Sequence, residues 1–303
     1  MPEEVVSVLN FRKSYVKFIA VDGISFTVSR GEIFGILGPN GAGKTSILEC
    51  LEGIRQPDPD AGRMRILDID PQREPGKLRN LIGVQLQTSG LPASLTVEEA
   101  MRFFCAYHGI APRMDLIDRM QLADKRRAQY QQLSTGQQRR LALALAIAHQ
   151  PPLVILDEPT AGLDVASRTE LHNLMQELKA AGTTIILATH DMAEAEKMTD
   201  RVAILLRGKI AVTGSPRELT AAGSGLTKVS VRSETSSLQN NGANFPAVRQ
   251  QGVKEEYAFY YSTDTGPTVS AILDYLNAQG DRLIDLRVER PSLEERFLEI
   301  TNA

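Results

Sequence analysis

The sequence lacks several features that would place it in common protein classes. Its 303 residues include no tryptophan and only two cysteines, Cys50 and Cys105. Two cysteines are too few for a disulfide framework, and each lies in an apolar helical context, where cysteine usually packs as a small core residue. We therefore expect buried thiols and a reducing compartment.

Long hydrophobic runs and an excess of positive charge are also missing. The longest apolar run, 141–148, is far shorter than the ~20 residues that cross a bilayer, and the acidic start Met1–Glu4 precedes no apolar signal core. With 34 basic and 37 acidic residues, the chain carries a net charge of −3. This balance argues against a nucleic-acid-binding surface. We expect a globular chain, large enough for two domains, that does not span a membrane by itself.

A glycine-rich loop is the most informative feature that is present. It follows the apolar run 33–37, precedes the helical pattern 46–51, and reads Gly38, Pro39, Asn40, Gly41, Ala42, Gly43, Lys44, Thr45. A strand, a flexible turn and a helix start direct several backbone N–H groups and a helix dipole at one point. The pattern predicts a P-loop for a polyphosphate, in which Lys44 contacts the β- and γ-phosphates and Thr45 binds Mg²⁺.

Polar residues follow two further apolar runs. Asp157 and Glu158 come after the run 153–156, and His190 follows the run 184–188. Ligands of α/β sheets bind beyond the carboxyl ends of strands, and successive side chains of a strand point in opposite directions. We therefore assign Mg²⁺ binding to Asp157 and activation of the attacking water to Glu158.

A second helix start lies far from the P-loop in sequence. Ser134 and Gln137 have the spacing of a capping box before the apolar helix 140–148. Such a helix N-terminus is also able to bind an anion.

The order of patterns predicts an α/β fold with a second, smaller domain. Alternation over 5–29 indicates antiparallel strands, short apolar runs indicate a buried, largely parallel sheet, and 91–150 form a helical insertion. The segments 202–206 and 209–213 read as a hairpin. We place the domain boundary at 222, in a linker over 221–225, and predict a small α+β domain over 223–303.

Taken in order, these motifs resemble those of the nucleotide-binding subunit of an ABC transporter, over about residues 5–220. Leu133–Gln137 matches the ABC signature, and Ala161–Asp164 matches the acidic loop after the carboxylates. The segment 290–301 is similar to the tail of subunits from drug, antibiotic and polysaccharide exporters. The predicted fold is thus a P-loop NTPase cassette with a mixed sheet core, an antiparallel β subdomain and a helical insertion.

The resemblance implies ATP and Mg²⁺ as ligands and hydrolysis of ATP as the activity. It implies adenine stacking by Tyr15, phosphate contacts by the loop 38–46 including Ser46, and a lid-loop role for Gln87 in Mg²⁺ binding and catalysis. It assigns a switch role to His190. The signature residues expected to grip the γ-phosphate of a second subunit are Ser134, Gly136 and Gln137.

The resemblance also implies partners. Two copies pack head to tail around ATP, and a separate transmembrane permease docks on the helical insertion at the cytoplasmic face of the membrane, powering transport, with export favoured. Apolar candidates for that docking groove are Leu91, Leu95, Phe103 and Phe104.

Two positions qualify the match. Thr135 stands where many family members have glycine, and Gln85 competes with Gln87, which we prefer because it lies at the end of a predicted strand. Two other classes of function are alternatives: a soluble ABC-type ATPase acting on ribosomes or DNA, and a regulatory nucleotide binder without catalysis. The single cassette and the absence of sustained heptads argue against the first, and Glu158 with His190 argues against the second.

Overall fold

Short, fully apolar segments form the central sheet of the protein. In the computed structural model, which describes residues 3–59, 61–87, 90–222, 226–240, 243–289 and 292–302, the chain divides into two compact units, 1–216 and 217–303. The predicted linker residues 223–225 and the tail residues 290–291 lie outside the described residues. The predicted domain boundary at 222 stays a prediction.

The first unit contains both sheets predicted from its sequence patterns. Its strands, in chain order, are β1 (Glu4–Tyr15), β2 (Phe18–Ser29), β3 (Ile33–Leu37), β4 (Arg63–Ile66), β5 (Ile82–Gln85), β6 (Leu153–Asp157), β7 (Thr184–Thr189), β8 (Arg201–Leu206) and β9 (Lys209–Gly214). Its helices are α1 (Lys44–Leu51), α2 (Pro75–Arg79), α3 (Val97–Tyr107), α4 (Met114–Arg119), α5 (Thr135–Ile147), α6 (Val165–Ala180) and α7 (Met192–Met198). Helix α8 (Pro216–Ala221) begins at the last residue of this unit and continues into the second.

The larger sheet has the order β5-β6-β7-β3-β8-β9, parallel except for the final hairpin pair β8–β9, and the smaller has the antiparallel order β2-β1-β4. Every residue of β3, β6 and β7 is buried. Because these strands are parallel, their carboxyl ends meet at one edge of the sheet. This arrangement brings together the P-loop, the Asp157–Glu158 pair and His190.

Alternating side chains of the central strands build two cores. Ile155 and Ile186 belong to the core shared with α1 and the antiparallel sheet, whereas Val154 and Leu187 belong to the core shared with helices α3 to α6. A strand buried on both faces needs apolar residues at every position, which explains the continuous apolar runs in the sequence.

The second unit is a four-stranded antiparallel sheet with a core of its own. Its elements are β10 (Thr227–Ser233), α9 (Ser237–Asn240), β11 (Val248–Lys254), β12 (Tyr257–Ser262), α10 (Thr265–Gln279), β13 (Leu283–Glu289) and α11 (Leu293–Asn302), with the sheet order β11-β12-β10-β13. Alternating patterns over 228–232, 257–261 and 283–288 predict β10, β12 and β13, and helical patterns over 269–278 and 293–300 predict α10 and α11. They miss β11, whose partly buried and exposed residues give no apolar alternation. Within the described ranges, every helix is too short or too polar to cross a lipid bilayer.

Candidate nucleotide-binding site

The glycine-rich loop joins β3 to α1 and is packed closely against two other strands. Gly43 has a left-handed φ of 111°, and a Cβ atom added there would lie 2.4 Å from the Ala20 carbonyl oxygen. A Cβ added at Gly38 would lie 2.3 Å from the carbonyl oxygen of Leu205. The backbone of the loop therefore approaches β2 and β8 at distances that only glycine permits.

Lys44 begins α1, and its side chain curls back over the loop. Its Nζ donates to the carbonyl oxygens of Gly38 (2.7 Å) and Pro39 (3.3 Å) and lies 3.5 Å from Oε1 of Glu158. The ammonium group is thus fixed above the helix N-terminus in a buried position. A cation and a helix dipole here act together on any anion in the loop.

Asp157, the last residue of β6, faces the first turn of α1. The Thr45 hydroxyl donates to Asp157 Oδ2 at 3.0 Å, while the buried Oδ1 has no hydrogen-bond partner among the described residues. Burial raises the pKa of the Asp157 carboxyl, the Thr45 hydrogen bond opposes this shift, and the nearby Glu158 charge adds to it. An unpaired carboxylate oxygen beside a hydroxyl suits a hard divalent cation.

Glu158 is held from three sides at the end of β6. Its Oε2 lies 2.8 Å from Nδ1 of His190, its backbone N–H donates to the Ala188 carbonyl, and its own carbonyl accepts a hydrogen bond from Arg139. Its φ of 50° lies in the left-handed region. Such a conformation is costly for glutamate and persists where the surroundings fix it, as at functional sites.

One cavity combines most of the predicted site residues. It is lined by Phe18, Ala20, Asn40, Gly41, Gly43, Lys44, Thr45, Ser46, Gln87, Asp157 and Glu158. Gly38, Pro39 and Ala42 shape the loop without lining the cavity, and His190 reaches it through Glu158.

The two glutamines of the lid segment lie in different places. Gln87 is predicted to lie at the end of a strand. Strand β5 instead ends at Gln85, two residues before Gln87. Gln85 is buried beside Arg139 and Leu163, outside this cavity, whereas Gln87 lines it. The position of Gln87 in the cavity is compatible with the predicted role, although Gln87 does not end the strand.

Tyr15 lies beside the cavity without lining it. Its hydroxyl is 3.1 Å from the Ser46 hydroxyl, and its ring stacks on Phe18 with the centroids 5.2 Å apart. Phe18 is exposed and is itself a lining residue. Phe18 is absent from the predicted site, although its aromatic side chain at the start of a predicted strand, three residues after Tyr15, could have indicated it.

The signature segment forms the predicted capping box. The Ser134 hydroxyl accepts from the Gln137 N–H (3.3 Å), and Gln137 Oε1 accepts from the Ser134 N–H (2.9 Å). Ser134, Gly136 and Gln137 are not among the residues that line the P-loop cavity. The methyl group of Thr135 lies 4.0 Å from where a Cβ on Gly162 would stand, so it points towards the acidic loop 161–164.

A buried hydrogen-bond network holds the backbone on both sides of His190. The sequence motifs do not predict it. Glu194, on α7, accepts from the Thr189 hydroxyl at 2.9 Å and lies 3.1 Å from Nε2 of His172, on α6. The Thr189 hydroxyl oxygen in turn accepts from the N–H of Asp191 at 3.1 Å. The residues before and after His190 are therefore tied to one buried carboxylate.

Comparisons with known proteins agree with this geometry. The profile of the ABC transporter family matches residues 21–161. The Nod factor export ATP-binding protein I of Paraburkholderia xenovorans is 35% identical, with 99% of this chain and 98% of that protein covered. The daunorubicin resistance ATP-binding protein DrrA3 of Streptomyces coeruleorubidus is 32% identical, covering 99% of this chain and 97% of the relative.

Solved structures of ATP-binding cassettes also resemble this chain. The ATP-binding subunit of an ABC transporter superposes with a TM-score of 0.66 at 27% identity, over 71% of this chain and 91% of that one. A dimeric ATP-binding cassette in a post-hydrolysis state, bound to ADP and Pi, superposes with a TM-score of 0.64 at 26% identity, over 69% of this chain and 98% of the other. The chain belongs to the ABC transporter family, as an ATP-binding subunit that hydrolyses ATP.

Proposed function

We propose that this chain powers export by binding and hydrolysing MgATP in the P-loop cavity, as part of a homodimer that drives a separate membrane-spanning permease. The observation that carries the proposal is the convergence of Lys44, Asp157 and Glu158 on one cavity, with His190 bonded to Glu158. These groups supply a phosphate clamp, a metal ligand and a base at the same edge of the sheet.

The glycine-rich loop and the residues around the cavity would bind the different parts of MgATP. The loop N–H groups and Lys44 bind the phosphates, while the stacked pair Tyr15 and Phe18 offers an aromatic surface for adenine. Thr45 and Asp157 would hold Mg²⁺, and Gln87 lies in the same cavity. When bound, Mg²⁺ neutralises charge that develops on the phosphate oxygens. Mg²⁺ is commonly held by one or two protein oxygens together with phosphates, which fits this small donor set.

Glu158 is the proposed general base. Its carboxylate lies between Lys44 and His190, so it is oriented before it accepts a proton from the attacking water. The half-exposed side chain of His190 fixes the rotamer of the base through its contact with Glu158 Oε2. The reaction products, ADP and phosphate, are then released.

The signature helix is proposed to act on the second subunit. Because Ser134 and Gly136 lie outside the P-loop cavity of their own chain, their anion-binding helix start is available to the γ-phosphate bound by the other copy. The dimeric relative with bound ADP and Pi supports such an assembly. Loss of the γ-phosphate removes this bridge and favours opening.

The partner is proposed to be an exporter permease at the cytoplasmic face of the membrane. Relatives along the whole chain are named for Nod factor export and daunorubicin resistance. A groove beside α3 is lined by Leu91, Phe103 and Phe104, three of the four predicted docking residues; Leu95 is not among them. This groove is the proposed docking surface.

Substitution of the base tests the catalytic proposal. We expect Glu158→Gln to bind ATP normally, to lower turnover by at least ~10²-fold, and to make the ATP-bound dimer persist. Lys44→Ala should instead abolish ATP binding, because a cation facing the phosphates is lost. ATPase rates, nucleotide titration and gel filtration with ATP distinguish the two. Parental turnover in Glu158→Gln would assign the base to another residue.

Co-purification tests the transport proposal. Affinity purification from detergent-solubilised membranes should recover a protein with several membrane-spanning helices, and ATPase activity should rise with the permease reconstituted. Recovery of ribosomes or DNA in its place would support a soluble ATPase of the same family.

A further inference from the structure

Glu52 is a buried acid whose carboxyl group has no hydrogen-bond partner among the described residues. It follows the last residue of α1, has 1% of its surface exposed, and neither of its carboxylate oxygens finds a hydrogen-bond partner in the part of the chain that the structure describes. A buried polar group left unpaired costs on the order of 1–3 kcal/mol, so such groups are rare unless something outside the chain satisfies them.

The surroundings of Glu52 favour a positive charge. Burial is the main cause that raises the pKa of its carboxyl to about 8, and the nearby acidic groups of Asp157 and Glu49 add to the shift. A cation placed against Glu52 would therefore be attracted by the whole cluster and would keep the carboxyl ionised.

The groove that Glu52 lines is largely apolar. Leu86, Phe103 and Tyr107 stand exposed on its walls. Its two histidines, His108 and His149, stack in parallel with centroids 3.8 Å apart, and burial lowers the pKa of both, that of His149 to about 4. Burial in the groove therefore favours the neutral form of both imidazoles.

Among the described residues that line the groove, Arg79 is the other charged one. It is exposed and is not among the groups that act on the Glu52 carboxyl. A largely apolar surface that holds one buried acid, on which no cation of the described residues acts, is complementary to an amphipathic segment with one basic side chain.

We propose that Glu52 selects the permease segment that docks in this groove, by forming an ion pair with a lysine or arginine on its apolar face. The inference rests on the proposed function, since the occupant is a segment of the permease. Exposed Leu86, Phe103 and Tyr107 pack against the apolar side chains of that segment, and Glu52 fixes its register.

The first experiment uses the isolated subunit. Glu52→Gln should raise the melting temperature, because an unpaired acid becomes neutral, and should leave basal ATPase activity unchanged. A lower melting temperature would mean that Glu52 is satisfied within the chain, which overturns the proposal. This measurement needs no permease.

The second experiment uses the full complex with the co-purified permease in detergent. Glu52→Gln should weaken subunit–permease binding by at least about tenfold, the scale of one lost charge-assisted hydrogen bond. Glu49→Gln is the matched control, because Glu49 lies one turn earlier on α1 and already pairs with Arg55. It should bind the permease as the parent does. Equal binding by parent, Glu52→Gln and control would overturn the proposal.

Charge reversal identifies the partner residue. Glu52→Lys should abolish the permease-stimulated ATPase activity, and substitution of one cytoplasmic lysine or arginine of the permease by glutamate should restore it. Failure of every such substitution to restore activity would overturn the ion pair while leaving the transport function intact. If no membrane protein co-purifies with the parent chain, the proposed function itself fails.

Discussion

Single residues in this site are held by contacts that lie beyond their own motifs. Glu158 adopts a left-handed φ of 50° and is fixed by Ala188, Arg139 and His190, none of which is a sequence neighbour. The cost of this conformation is offset by hydrogen bonds at both its backbone and its side chain. Orientation of the base is therefore a property of three elements rather than of one motif.

Removal of the Glu194 carboxylate should impair catalysis without loss of nucleotide binding. Glu194→Ala leaves the Thr189 hydroxyl without its acceptor, so the segment around His190 loosens and turnover should fall by about tenfold or more, within the usual scale of a disturbed general base. Glu194→Gln, which retains an acceptor oxygen, should restore most of the activity. Turnover and ATP affinity are measured below the melting temperature of each variant.

A second variant distinguishes a role of Glu194 in positioning His190 from a general loss of protein stability. Thr189→Val, which keeps the side-chain shape and removes the hydroxyl, should reproduce the turnover loss of Glu194→Ala. A folded Glu194→Ala protein with parental turnover, or one that loses ATP affinity as strongly as turnover, would contradict this role.

Glu52 should make the stability of the isolated chain depend on pH. Its pKa in the folded state, about 8, lies above the ordinary value of 4.5, so the folded protein binds the proton more tightly than the unfolded chain. The free energy of unfolding therefore falls as pH rises between these values. The melting temperature of Glu52→Gln should exceed that of the parent by a margin that grows from pH 5 to pH 8; a margin independent of pH would refute the shift.

At the scale of elements, helix starts and strand ends build the site. The carboxyl ends of β3, β6 and β7 meet at one edge, and α1 begins there with no side-chain cap of its own, at Gly43. In contrast, α5 begins with a complete capping box at Ser134. The N–H groups at the start of α1 are thus free of a side-chain acceptor and face the cavity, where phosphate oxygens replace the cap.

Two neighbouring substitutions at the start of α5 should differ sharply in effect. Thr135→Gly should change ATPase activity by no more than a few-fold, because the Thr135 methyl already points towards the loop 161–164. Gly136→Val should be severe, because a β-branched side chain would occupy the space of the γ-phosphate. ATPase rate and ATP-dependent dimerisation are measured for both.

The chain itself has room for a small side chain at Gly136. An added Cβ would lie 3.4 Å from the Leu163 side chain, an ordinary contact, so Gly136→Ala serves as the folding control. If substitutions at positions 135 and 136 lowered ATPase activity and dimerisation equally, or neither had an effect, the signature segment would act only as a helix cap. A site shared between two subunits would then have no support.

At the scale of the whole molecule, the chain contains separate cores. The two buried clusters of the first unit draw only on residues before Pro216, and the cluster around Val229, Tyr260 and Ile272 draws only on the second unit. Each unit therefore buries apolar surface of its own, which is the physical requirement for folding alone.

A fragment of residues 1–222 should therefore fold and bind ATP. We expect its affinity to lie within about threefold of that of the full chain, since every residue lining the P-loop cavity belongs to the first unit. Circular dichroism and nucleotide titration test this expectation. An unfolded or aggregated fragment would show that the second unit is required for the stability of the first.

The sequence alone determined the architecture of the first unit and which motifs meet at the edge of its parallel sheet. Continuous apolar runs identify strands buried on both faces, and the P-loop, the Asp157–Glu158 pair and His190 each follow such a run, so the meeting of their side chains follows from parallel strand order. The capping box at Ser134 is likewise local. Such features depend on residues a few positions apart, which a linear pattern records.

Only the tertiary structure decided which residues meet across elements. It separated Gln87 from the buried Gln85, placed Phe18 at the cavity, and joined Glu194 to the residues around His190. It also placed Glu52 in a largely apolar groove, where no described residue pairs with its carboxyl group. The physical reason is that burial and pairing are set by side chains far apart in sequence, which no local spacing encodes.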